Sequence, residues 1–113
     1  MANTFKVKAN AAMPASAGTA LTLYTVPSST TTVVIGLTLC NVHTSAVTAS
    51  VKLESSTGSN ENVTVVKDAS IPAGSSLELL SGGKYVLEAS DVLKIDCSVS
   101  AKIDATLSIM EIT

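Results

Sequence analysis

The sequence predicts an all-β protein, an antiparallel, jelly-roll-like β-sandwich of about eight or nine strands with essentially no helix. Three observations predict it. Apolar and polar residues alternate with a period of two along most of the chain, and no segment sustains a helical period. Turn residues recur about every 8–12 positions, the spacing of short strands in a sandwich or small barrel. The composition agrees: 16 Ser and 14 Thr accompany 46% apolar and only 3% aromatic residues, so Val, Leu, Ile and Ala must build the core. Thr, Val and Ile suit a pleated surface. With 113 residues the chain is the size of one domain. Such a domain buries roughly 65% of its unfolded surface, enough to fold without a metal or a disulfide.

Each element follows from its own alternation. "FKVKA" places Phe5, Val7 and Ala9 on one face, read as the core face, and Lys6 and Lys8 on the other. "ALTLYTV" aligns Leu21 with Leu23 and stops at Pro27, which has no amide to give a central strand. "TTTVVIGLTLCNV" aligns Val33, Ile35, Leu37 and Leu39 inward, with Gly36 marking a bulge or a close neighbouring backbone. "AVTASVKLE" turns Val47, Ala49, Val51 and Leu53 inward; the polar run "SSTGSNE" is a loop, and Val63 and Val65 follow inward. In "IPAG", Pro72 suits the second position of a β-turn and Gly74 the fourth. Leu77 and Leu79 follow, then the connection "SGG", then Tyr85 and Leu87. Leu93, Ile95, Cys97 and Val99 face inward next, and Ile103, Ala105, Leu107 and Ile109 close the chain. Residues 1–19, rich in Ala, read as a partly extended N-terminal arm that orders against a neighbour, and 20–113 as the sandwich domain.

Charge and hydropathy exclude several classes. Seven scattered Lys, no Arg and a net charge of −2 give no basic patch, so nucleic acid is not an expected partner. No run approaches the ~20 apolar residues of a membrane span. Asn10, Pro14, Ser16, Gly18 and Thr19 interrupt the apolar stretch that a signal peptide would need, so none is read there. "NVT" at Asn62 is a glycosylation acceptor only in a eukaryotic secretory setting.

The candidate chemistry is thin. "CNVH" sets Cys40 and His43 at the spacing of half a zinc site, but a structural zinc takes four ligands and the chain offers one further Cys and no further His. On an extended strand Cys40 and His43 stand about 10 Å apart, too far for a Cys-His pair. No catalytic residues, cofactor or metal are therefore assigned, and the expectation is a protein that is not an enzyme. Asp96 and Asp104 read as solvent-facing and as possible cross-strand neighbours, with Asp91 beside them. A glycan site would need an aromatic platform. Alternation sends Phe5 and Tyr85 to the core and leaves Tyr24 alone. Cys97 falls on the core face and Cys40 on the outer one, so no intrachain disulfide is expected.

Apolar residues out of phase with the core are more informative: Val34, Val66, Leu80, Val86, Val92, Met110 and Ile112. So many on one small domain suggest a protein–protein surface. Val34, Val66, Val86, Val92, Met110 and Ile112 are the expected oligomer interface.

The order "LYTVPSSTTTVVIGLTLCNVHTSAVTASVKL", then "SIPAGSSLELLSGGKYVLEASDVLKI", then a closing alternating strand resembles small structural proteins of tailed-bacteriophage particles. The likeness spans about residues 20 to 112 and consists of turns and strands, not of a catalytic motif. The chain departs at Ser90, where such sequences often carry Gly before Asp91, so the resemblance leaves open whether a strict left-handed turn is kept there. The resemblance implies a virion component, made in the bacterial cytoplasm: a capsid decoration or cement subunit, or else a tail, neck or fibre part. It implies a trimer or larger ring, contact with other virion proteins such as the major capsid protein, and neither nucleic acid nor membrane as a partner. A glycan- or cell-surface-binding sandwich is the reading from another class.

Overall fold

The computed structural model describes residues 3–13, 17–55, 61–80 and 84–113. These form nine strands and no helix: β1 (Asn3–Met13), β2 (Leu21–Thr25), β3 (Thr31–Asn41), β4 (Val47–Glu54), β5 (Val63–Ile71), β6 (Ser76–Glu78), β7 (Tyr85–Leu87), β8 (Val92–Cys97) and β9 (Ile103–Ile112). All pairing is antiparallel, and it is nested. β1 pairs with β9, β2 with β8, β3 with β6 and β7, and β4 with β5. Two further pairings, β3 with β9 and β4 with β8, join these hairpins into sheets. Sheet A runs β1-β9-β3-β6, with β7 also on β3; sheet B runs β2-β8-β4-β5. The two sheets pack face to face as an all-β sandwich.

The core lies between the sheets. Sheet A contributes Val34, Leu37, Leu39, Ile103, Ala105, Leu107 and Ile109, and sheet B contributes Leu23, Val47, Ala49, Val51, Leu93, Ile95 and Cys97. The alternation of β4, β8 and β9 is the one the sequence predicts. Cys40 and Cys97 are both free thiols.

Elsewhere local irregularities shift the phase. In β3 the register against β9 breaks between Val34 and Gly36. Thr32 and Val34 point inward before the break and Leu37 and Leu39 after it, while Ile35 is exposed. The expected inward Val33 and Ile35 are thus corrected, because one extra residue in the strand switches its faces. Leu80 is buried as well, not exposed. A second break, between Thr22 and Tyr24 on β2, lets consecutive residues Leu23 and Tyr24 both enter the core. Tyr24 is therefore not a surface residue.

Turns use specific backbone states. The turn after β5 begins at Pro72, whose carbonyl accepts the Ser75 N–H at 3.1 Å, so Pro72 holds its first position and Gly74, at φ 70°, its third. Ser90 adopts φ 73° in the turn that the Asp91 N–H closes onto Glu88. Serine occupies the left-handed site. Buried Asn41 organises the β3–β4 connection: its amide donates to the carbonyls of Ser45 and Ile71, and its Oδ1 accepts the His43 N–H. The "SGG" connection and most of the "SSTGSNE" loop lie outside the described residues, as do Pro14 and Ser16.

Candidate interaction surface on sheet A

The residues expected to form an N-terminal arm supply β1, which lies along β9 of the same chain in unbroken register from Asn3 to Asn10. Residues directly opposite in an antiparallel pair share a face. Lys6 lies opposite Ile109 and Lys8 opposite Leu107, both core residues, so the lysines are on the inward side. Phe5 and Val7 therefore point outward and are 73% and 64% exposed, which reverses the expected orientation of this strand. Alternation tells which residues share a face; it does not tell which face is covered.

Glu111 explains the reversal. It continues the inward phase of β9, after Leu107 and Ile109, and is buried. Its Oε1 lies 2.7 Å from the Lys6 ammonium and its Oε2 accepts the Tyr24 hydroxyl proton at 2.6 Å. With that proton committed, the 2.8 Å contact between Tyr24 and Thr32 has the threonine hydroxyl donating. The network joins β1, β9 and β3 of sheet A to β2 of sheet B. Hydrogen bonds from Lys6 and then Tyr24 hold the Glu111 carboxyl below its ordinary value. Burial, and then the hydrogen bond to Glu111, push the Tyr24 hydroxyl up to about 12.

With the lysines turned inward, apolar residues line up across the outer face. Phe5 lies opposite Met110, Met110 opposite Val33, and Val33 opposite Val86, a row that crosses β1, β9, β3 and β7. Val86 is 65% exposed and Met110 and Val33 are half-buried. Ile112 extends the row along β9, and Val7 extends it along β1. The other end of this face is polar, with Asp104 and Thr106 on β9, Thr38 on β3 and Glu78 on β6.

Of the expected interface residues, Val86, Met110 and Ile112 come together here. Val34 is wholly buried in the core and is withdrawn as a surface residue, because the β3 bulge reverses its face. Val66 and Val92 lie half-buried in sheet B, apart from the row. Phe5, Val7 and Val33 belong to the surface, although alternation alone assigns them inward. The available signal is Glu111, a carboxylate in the inward phase of β9 that calls for a cation opposite.

The remaining candidates do not assemble into a centre. Asp96 and Asp104 lie in different sheets and are not cross-strand neighbours. Asp96 accepts the Cys97 N–H, and Asp91 is buried, accepting the Glu88 N–H. Among the described residues no three His, Cys, Asp or Glu side chains are grouped to hold a metal ion. Among them, too, no helix is long and apolar enough to cross a membrane. Scans of the chain against protein-family models, curated proteins and solved structures give no match.

Proposed function

We propose that this chain is a non-enzymatic structural protein of a tailed-phage particle, a capsid decoration or cement subunit that works through its outer surfaces. A tail, neck or fibre position is the alternative within the same class. The observation that carries the reading is the nested strand pairing, in which first pairs with last and each inner hairpin lies within the next. That order is the one expected of a jelly roll, an architecture recurrent in viral capsid and lectin domains. A fold alone hosts many functions. The exposed apolar row of Phe5, Met110, Val33 and Val86 adds a surface suited to protein contact, and the sequence resemblance points the same way. Of the aromatics, Tyr24, the one expected at the surface, is buried, whereas Phe5 and Tyr85, expected in the core, are exposed, so the choice against the lectin reading rests on the sequence resemblance and the apolar row.

The test is co-sedimentation of the purified protein with phage particles that lack it. Saturable binding that Val86→Lys with Met110→Lys abolishes is the expected result. Protein left in the supernatant, or chemical-shift changes on adding oligosaccharides, would overturn the reading.

A further inference from the structure

We propose that two copies of this chain pair edge to edge through β1, antiparallel, about a two-fold axis at Val7. The inference stands on strand geometry and not on the virion reading, so failure of particle binding leaves it intact.

Among the described residues, every sheet edge but one is blunted. β2 is five residues long and broken between Thr22 and Tyr24. β5 carries two register breaks against β4 and holds Asp68 at φ 49°. β6 and β7 are three residues each. Short, bulged edges are poor templates for another strand. β1 keeps a regular ladder from Asn3 to Asn10, and among the described residues nothing pairs with its outer side.

The strand is also complementary to itself. A two-fold axis perpendicular to the sheet sets outer face beside outer face, so paired residue numbers must sum to an even value and the axis must fall at a residue. "TFKVKAN", from Thr4 to Asn10, has the same polarity pattern read from either end, with Val7 at its centre. Centred there, Val7 meets the partner's Val7, Phe5 meets the partner's Ala9, and Thr4 meets the partner's Asn10. The large side chain faces the small one, and the two apolar rows continue into a single sheet with five strands from each copy.

The pairing sets Lys6 opposite the partner's Lys8 on the inner side, an unfavourable contact. Each copy moderates it, because Glu111 binds Lys6 at 2.7 Å and also attracts Lys8. Added salt should therefore strengthen the dimer, the reverse of an interface held by opposite charges. Pairing of Thr4 to Asn10 alone falls at or below the ~1,200 Å² low end of specific interfaces, so a dissociation constant in the micromolar range is expected.

Sedimentation equilibrium of the full chain across micromolar concentrations tests the mass, and cysteine cross-linking in a Cys40→Ser background tests the register. The expected result is a doubled mass that rises with salt. Val7→Cys should cross-link to itself, whereas Phe5→Cys and Ala9→Cys should cross-link only when mixed, since like positions then stand ~14 Å apart along the strands. Val7→Glu should weaken the dimer more than about tenfold by opposing like charges on the axis, with its circular dichroism unchanged because Val7 is exposed in the single chain. A monomer throughout, a trimer, or a dimer indifferent to Val7→Glu would overturn the proposal.

Discussion

Strands β1 and β5 are outermost in their respective sheets, and they are attached by opposite means. β5 is irregular along its backbone but anchored by side chains: Ile71 is 1% exposed and Val65 packs on the core. β1 is regular along its backbone from Asn3 to Asn10, with one register break before Met13, yet residues 3–11 are all exposed, and burial is reached at Met13, its far end. Its middle is held by ladder hydrogen bonds and by one polar anchor, Lys6 to Glu111 to Tyr24. A strand with little apolar burial is among the first to open locally. The difference separates two jobs. An edge that must stay solitary can be bulged and buried, whereas an edge that receives another strand must stay straight and uncovered.

The contrast is tested most severely by truncating each strand's apolar side chains. Ile71→Ala should cost about 2–5 kcal/mol, the range for a fully buried Ile. Phe5→Ala, at a residue 73% exposed, should change stability by no more than about 0.5 kcal/mol. Urea unfolding monitored by circular dichroism reads both. Equal losses would mean that Phe5 is covered in the single chain and that β1 has a core anchor of its own.

The polar anchor comes next. Glu111→Gln keeps an acceptor for Tyr24 but removes the ion pair, and should cost about 1–3 kcal/mol, the range for a buried charged hydrogen bond. Because the folded-state value of Glu111 is depressed below its ordinary 4.5, its contribution is present above that pH and is lost as pH falls through the lower folded value. Tyr24 is raised from 10.0 to about 12, so its contribution is complete below pH 10 and disappears as pH rises toward 12. A thermal-stability profile should therefore fall at both ends, and Glu111→Gln should flatten the acid limb. An unchanged acid limb would place the carboxylate's stabilisation elsewhere. Hydrogen exchange should also show β1 amides opening faster in this variant, with β5 unaffected.

The same contrast marks what the sequence disclosed. β4, β8 and β9 were legible because each is paired on both sides, so unbroken alternation maps directly onto core and outer face. β3 was legible only after Gly36, since a single extra residue near Ile35 exchanges its faces. Alternation alone inverts the faces of β1, because Phe5 and Val7 are the more apolar set. The deciding residue, Glu111, lies over a hundred positions away, where tertiary pairing alone brings it to Lys6. For the same reason Val86 and Met110 could be named as surface residues, while the row that joins them to Phe5 and Val33 could not. Cross-strand neighbours follow from register, and register depends on the bulges.

The smallest expected effect concerns the bulge that distinguishes β5. Asp68 holds φ 49°, its N–H donates to the Ser50 hydroxyl at 2.9 Å, and that hydroxyl returns a longer, 3.4 Å contact to Oδ1. Aspartate tolerates the left-handed region better than most residues but is still strained there, whereas glycine enters freely. Asp68→Gly should therefore relieve the strain, lose the weak side-chain contact and gain unfolded-state entropy, for a net change within about 0.5 kcal/mol. Asp68→Val cannot adopt the same backbone without a penalty of roughly 1–2 kcal/mol. The gap between the two variants, measured by urea unfolding, reports how firmly the rest of β5 enforces the bulge. If valine is tolerated as well as glycine, the strand can straighten, its edge becomes as open as that of β1, and the distinction drawn between the two edges fails.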